Sequence, residues 1–280
     1  MSEDKKQINT EIIAYFAIII LTTQIISLIL TSRFIEYYSS LPAFEPAGQG
    51  ASGSILNTIL LLSMTFFMSM VMLILIRKKR YNMLRIILGM VLFASTSIVA
   101  YSMLNIALYK IIDNNNLIAL SYSAVLVIIS ILSLVKSNMK KLQFFASINL
   151  AIIYGSAFAL FIKPPTILIL PIAFAIYDIW AVFKGPLKEI VKGIGNDFEL
   201  NPLVLNVKGF QIGLGDLIFY SMIPSAGLLL INLNIAIVLI ILIQIGTIFT
   251  LLMLRKFKMF PGLPIPIFLS VAVLIMSYYL

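Results

Sequence analysis

The chain has 280 residues, 61% of them hydrophobic and only 11% charged, and a formal net charge of +9. A soluble globular domain is nearer ~45–50% apolar, so the length reads as membrane spans and not as soluble domains. With no cysteine and no histidine, the chain has no disulfides, no zinc site built on sulfur or imidazole, and no Ser–His or Cys–His nucleophile; Asp, Glu, Lys and Tyr are left for acid–base work.

Nine apolar runs follow in chain order: 12–30, 55–76, 84–109, 117–135, 142–162, 166–183, 209–231, 235–254 and 259–279. A helix needs ~20 apolar residues to cross a bilayer. The predicted fold is therefore all-α and polytopic, with nine transmembrane helices in a single membrane-embedded domain over 1–280. Within it, 12–162 supplies five scaffold helices. Residues 166–231 supply helices six and seven around a loop at 184–208, and 235–280 supply the last two. The first run is longer than the ~7–15 residues of a signal-peptide core and reads as a permanent anchor. The stretch 31–54, rich in Ser, Gly, Pro and Ala, reads as an irregular loop.

Lysine and arginine set the orientation. With the N-terminus in the cytoplasm, only Arg33, Lys110 and Lys163 fall outside, and the other seventeen of the twenty basic residues fall inside. An odd number of spans then leaves the C-terminus outside. The basic excess follows topology, so nucleic acid is not an expected partner; the lipid bilayer is. The cluster Arg77–Arg80 reads as a topology determinant and not as a nucleic-acid patch.

Two acidic residues, Asp178 and Asp216, lie inside apolar runs, whereas the other nine fall in loops, tails or segment ends. A carboxylate at the centre of a membrane helix costs roughly 2.5–3.5 kcal/mol on insertion scales. Asp178 is six residues from Lys184, or about 9 Å of helix, and Asp216 is eight residues from Lys208, or about 12 Å. If both segments are helical, the two carboxyls reach similar depth on antiparallel neighbours. Close carboxyls in a low dielectric cannot easily both ionise and share a proton. That is the state aspartic-protease chemistry uses, and it needs no metal or cofactor. Depth and charge alone leave three readings open: catalysis, a proton or cation relay in a carrier, and a polar pair that only joins two helices.

The flanking residues carry more. Gly213-Leu214-Gly215 precedes Asp216, which lets backbone approach backbone closely. The last run opens Pro261-Gly262-Leu263-Pro264, with Pro266 after it, and so cannot be regular helix at its start. Non-helical backbone at membrane depth is tolerated where it is buried in protein or lines water. Pro171 and Pro224 fall inside the two aspartate-bearing spans. Tyr177 precedes one aspartate, and Tyr220 lies four residues after the other, on the same helix face. A hydrogen bond from Tyr220 to the carboxyl and plain packing are both open to it.

In these segments (IYDIWAVFKGPLKEIV, IGLGDLIFYSMI and PGLP) the chain resembles the presenilin and signal peptide peptidase family of intramembrane aspartyl proteases, the Gly-x-Gly-Asp type. The wording is nearer presenilin, and the short loop resembles that of a compact microbial, archaeal-type homologue. The match covers about 172–190, 209–224 and 259–268. At Gly262 the chain departs from the alanine usual in the family. The resemblance implies a multi-pass protein of the cell membrane that cleaves transmembrane segments of single-span proteins. It makes Asp178 and Asp216 the catalytic pair, with Tyr177, Gly213, Leu214, Gly215, Pro261, Gly262, Leu263 and Pro264 lining the substrate path. It also implies that substrate adds as a strand, for which Leu203–Lys208 is a candidate edge. No cofactor or metal is implied, and neither a partner subunit nor an oligomeric state is read from the sequence. A prepilin-type Gly-x-Gly-Asp peptidase and a proton-coupled carrier are the alternatives.

Overall fold

The computed structural model describes residues 10–48, 50–108, 115–135, 140–185, 203–207, 210–254, 256–257 and 260–280. The described residues form nine α-helices: α1 (Thr10–Ser32), α2 (Ala51–Arg77), α3 (Tyr81–Leu108), α4 (Asn115–Val135), α5 (Lys140–Phe161), α6 (Thr166–Phe183), α7 (Leu214–Leu230), α8 (Leu233–Leu254) and α9 (Pro264–Tyr279). The loop after α1 is not wholly irregular, since Ile35–Ser40 forms a 3-10 helix. A two-stranded antiparallel hairpin, β1 (Val204–Val207) and β2 (Phe210–Gly213), precedes α7. Most of the expected cytoplasmic loop, residues 186–202 and Lys208, lies outside the described residues. So does the Pro186-Leu187-Lys188 end of the presenilin-like GPLK stretch.

The all-α membrane class expected from composition is the one observed, and the nine helices follow the nine runs in order. Seven have at least 18 residues and are apolar enough to cross a bilayer. The other two are α7, with 17 residues, and α9, with 16. Both are short because they begin late, α7 after a strand and α9 after a proline-rich turn.

For α7 this corrects the reading of 209–231 as one helix. Residues 210–213 pair with 204–207 in the register Val204↔Gly213, Leu205↔Ile212, Asn206↔Gln211 and Val207↔Phe210. The Leu214 N–H adds a bond to the Leu203 carbonyl at 2.8 Å. The segment is rich in β-branched and aromatic residues and is bracketed by glycines, a composition that favours strand over helix. The depth of Asp216 reckoned as eight helical residues from Lys208 therefore does not hold: Asp216 stands in the first turn of α7. For α9 the cause is proline. Pro264 takes the first helical position, where a missing N–H is harmless, and the helix begins only there.

Helix α7 is the buried centre of the bundle and packs against α5, α1, α8 and α9. The α5 contact is close because Gly155 has no side chain: a Cβ there would lie 3.0 Å from the Ile218 carbonyl and strike Ser221. The α1 contact is polar. Gln24, Ser27 and Thr31 share one face of α1 at helical spacing, and all three are fully buried. The Ser27 hydroxyl lies 2.8 Å from that of Ser156 on α5 and 3.0 Å from that of Ser225 on α7. In lipid, such small polar contacts replace the hydrophobic drive that joins helices in water. The outward faces remain apolar, as at Ile18, Met64, Phe67, Ile98 and Ile128.

One end of the bundle gathers the connections after α1 and α5. The Phe44 N–H bonds the Phe161 carbonyl at 2.7 Å. The Lys163 ammonium bonds the Tyr38 carbonyl at 2.7 Å and stands 3.4 Å from the centre of the Tyr38 ring. Tyr278, at the end of α9, is close enough to Tyr38 to act on its charge. The C-terminal ends of α1, α5 and α9 thus share one face, as strict alternation along the chain requires. Burial, reinforced by Tyr278 and Glu45, pushes the Tyr38 hydroxyl up to about 12. Burial also raises Glu45, with Lys163 opposing, and lowers Lys163, with Glu45 opposing.

Candidate active site

Asp216 owes its place to the strand-to-helix switch. Gly213 caps α7 in an extended conformation (φ −68°, ψ 141°), and Asp216 is the third helical residue after it. From that position a carboxyl reaches back to the cap N–H, one half of a capping box, and the Gly213 N–H does meet the Asp216 carboxyl. The unpaired N–H groups of a helix start also favour an acidic group there. A Cβ on Gly213 would stand 3.7 Å from the same carboxyl, whereas one on Gly215 would meet nothing within 4 Å. The site is therefore open beside Gly215, which is itself exposed.

Asp178 comes from the last turns of α6 and is half-buried. Its Oδ2 accepts a hydrogen bond from the Leu263 N–H at 3.0 Å, and the Gly262 N–H faces it too. The Asp178 carboxyl is near enough to Asp216 for its charge to be felt there. Among the described residues no group of three or more acidic side chains is placed to hold a metal ion.

The Pro-Gly-Leu-Pro turn joins the two aspartates. While the backbone of Gly262 and Leu263 serves Asp178, the α-carbon of Gly262 abuts Asp216: a Cβ on it would lie 3.0 Å from Asp216 Cγ and closer still to Oδ2. The Gly262 carbonyl accepts a hydrogen bond from the Tyr220 hydroxyl at 2.8 Å. Tyr220 therefore bonds the turn and not the carboxyl. Behind the turn, Gly246 of α8 allows the closest approach of Pro266, where a Cβ would lie 2.8 Å from the proline nitrogen.

The structure does not bring all the expected lining residues to one surface. Gly213 and Gly262 flank the aspartates, and Gly215 is open. Leu214, Leu263, Pro261 and Pro264 are buried, Leu214 and Leu263 in the main core. Tyr177 turns to α2, where its hydroxyl is 3.4 Å from that of Ser69, and its ring is 5.8 Å from that of Trp180. Sequence reasoning missed Gln24 and Gln244, which lie behind Tyr220. The signal was present as an amide in the middle of each of two apolar runs, but attention to ionisable groups passed it over.

The path of the chain is similar to that of solved proteins. A presenilin-family intramembrane aspartate protease in a C222 crystal form superposes with a TM-score of 0.63, at 15% identity, over 95% of this chain and 98% of that one. A P2 crystal form gives 0.59, at 18% identity, over 94% and 96%. The fold is that of the presenilin family. In sequence, 124 residues are 38% identical to Presenilin-B of Dictyostelium discoideum, 41% of this chain and 25% of that protein. The match thus spans a quarter of the length of that curated relative. No family model matches the chain. The presenilin fold and the seven long apolar helices make this a multi-pass membrane protein.

Proposed function

We propose that this chain is an intramembrane aspartic endopeptidase that cleaves transmembrane segments of single-span proteins, with Asp178 and Asp216 as its catalytic pair. The observation that carries the reading is the Gly262 turn: one short stretch of backbone donates to one aspartate and packs on the other. A structural polar pair has no need of such a third element, and an irregular backbone at this depth suits a water-lined cavity.

In the proposed reaction one carboxyl is ionised and the other protonated. The ionised member takes a proton from a water molecule as its oxygen bonds to the scissile carbonyl carbon. The protonated member gives its proton to the carbonyl oxygen. The tetrahedral species then collapses: one of its hydroxyls gives its proton to the ionised carboxyl as the C=O bond re-forms, the C–N bond breaks, and the amine leaves with the proton of the other carboxyl, so that the pair again holds one proton. No step needs a metal. A helical substrate hides its peptide bonds, so it must unwind first; the β1–β2 hairpin next to Asp216 offers strand edges for that. The relatives named above are described as presenilin-family intramembrane aspartate proteases, and the pairing of aspartates is read onto this chain from that likeness. With the basic side in the cytoplasm, substrates are expected with a cytoplasmic C-terminus.

The test uses reconstituted protein and a hydroxyl-bearing peptide analogue of the tetrahedral species. Binding that is lost in both Asp178→Asn and Asp216→Asn supports the reading. Proton-coupled solute flux with no analogue binding would replace it with a carrier.

A further inference from the structure

A proline inside a helix removes the N–H that would serve the carbonyl four residues earlier. In α7 the proline is Pro224, and the carbonyl it orphans belongs to Tyr220, one turn beyond Asp216. That carbonyl is not left bare. The side-chain amide of Gln24, on α1, donates to it at 3.2 Å. Gln24 is fully buried. Because a carbonyl only accepts, the Gln24 amide must face it with its NH₂ group, which leaves the Gln24 oxygen as an acceptor. Gln244 of α8 meets that oxygen with its own NH₂ at 3.0 Å.

A second backbone carbonyl nearer the aspartates is also met by a side chain. Gly262 precedes the Leu263 N-cap of α9, so its carbonyl lies outside the helical ladder, and the Tyr220 hydroxyl supplies a bond at 2.8 Å. Tyr220 is thus held at both ends, at its carbonyl by Gln24 and at its hydroxyl by the turn. Since Leu263 then bonds Asp178, a continuous chain of hydrogen bonds runs from Gln244 through Gln24, Tyr220 and the turn to the aspartate on α6.

We infer that Gln24 is a positioning residue for the aspartate pair: it replaces the donor that Pro224 removes and so fixes the Tyr220 segment that holds the Gly262 turn. The inference rests on the peptidase reading for its effect on turnover, but not for the bond itself. An apolar stripe on α1 would pack α7 equally well, yet a buried carbonyl would stay unpaired beside the site.

A double-mutant cycle tests this. Gln24→Met keeps the side chain's bulk and removes the donor, and Pro224→Ala returns a backbone N–H to the Tyr220 carbonyl. In the otherwise unchanged protein, Gln24→Met should lower kcat about tenfold, with KM little changed. In the Pro224→Ala background the same change should cost no more than about twofold. An equal loss in both backgrounds would overturn the inference, and so would a loss of folded protein with kcat per folded molecule unchanged. The infrared band of a ¹³C-labelled Tyr220 carbonyl reads the bond without turnover. It should move to higher frequency in Gln24→Met and stay put when Pro224→Ala is also present. An unmoved band overturns the inference even if cleavage is seen. A moved band with no cleavage by the unmodified protein leaves the bond standing and sinks the peptidase reading instead.

Discussion

Gly262 lies against the Asp216 carboxyl so closely that any side chain at 262 would collide with it: the Cβ of an alanine would come within 3.0 Å of Asp216 Cγ and nearer to Oδ2. The presenilin-like turn of this chain thus differs from the family's usual alanine at the position where the difference touches an aspartate.

Gly262→Ala should therefore reduce turnover. A carboxyl pushed aside strains its contact with the Gly213 N–H, and a displacement of about 1 Å at a reacting group costs up to ~100-fold. A loss of roughly 10- to 100-fold in kcat, with the melting temperature nearly unchanged, is the expected result. It is measured on detergent-purified protein with a single-span substrate. An alanine variant as active as the parent would show that the carboxyl has room to move.

Tyr220→Phe should weaken the site through the turn. The Gly262 carbonyl loses its 2.8 Å partner, and an unpaired carbonyl in a dry site costs about 1–3 kcal/mol. Turnover should fall between about fivefold and 100-fold. The shape of the pH–rate profile should be kept, since the hydroxyl bonds the turn and not a carboxyl. A profile displaced by a full pH unit would instead assign Tyr220 to the carboxyls.

Much of this arrangement was legible in the sequence. The membrane class followed from nine apolar runs, and the helices fall on them with ends shifted by a few residues. Asp178 and Asp216 stood out because a charge in an apolar run is costly. The strand at 210–213 was hidden because hydrophobic residues in a short apolar run suit a helix and a buried strand alike. The roles of Gln24 and Gln244 were hidden for another reason: an amide in a span acquires meaning only when the carbonyl it meets is known. Tyr220 and Asp216 do share a helix segment, but the segment turns the hydroxyl to Gly262.

The end of the bundle that holds Glu45 and Lys163 offers a pH test independent of the site. Burial raises the Glu45 carboxyl above its ordinary value, more than Lys163 lowers it. A group raised in the folded state binds protons more readily there than when unfolded, so stability falls as pH rises through that window. Below about pH 4.5, the ordinary value, both states are protonated and the penalty vanishes. Glu45→Gln should therefore melt at a higher temperature than the parent near pH 7, and the gap should close on acidification below pH 4.5. A Glu45→Gln variant that melts below the parent near pH 7, with the difference closing on acidification, would reverse the sign and point to a net favourable Glu45–Lys163 pair.

Gly155→Val tests the packing that holds α7. A side chain there strikes Ser221 and crowds the Ile218 carbonyl, and overpacking of this kind costs typically 1–3 kcal/mol. Loss of folded protein, or a melting temperature lower by several degrees, is expected, with activity falling in proportion. Unchanged melting would mean that α5 and α7 can separate at little cost.

The most direct measurement follows cleavage of a single-span substrate, reconstituted in lipid, by the unmodified chain, by Asp178→Asn and by Asp216→Asn, with helical content and melting checked for each. Cleavage by the unmodified chain that falls below detection in both folded variants is the predicted result. Cleavage that survives the loss of either carboxyl would contradict the account.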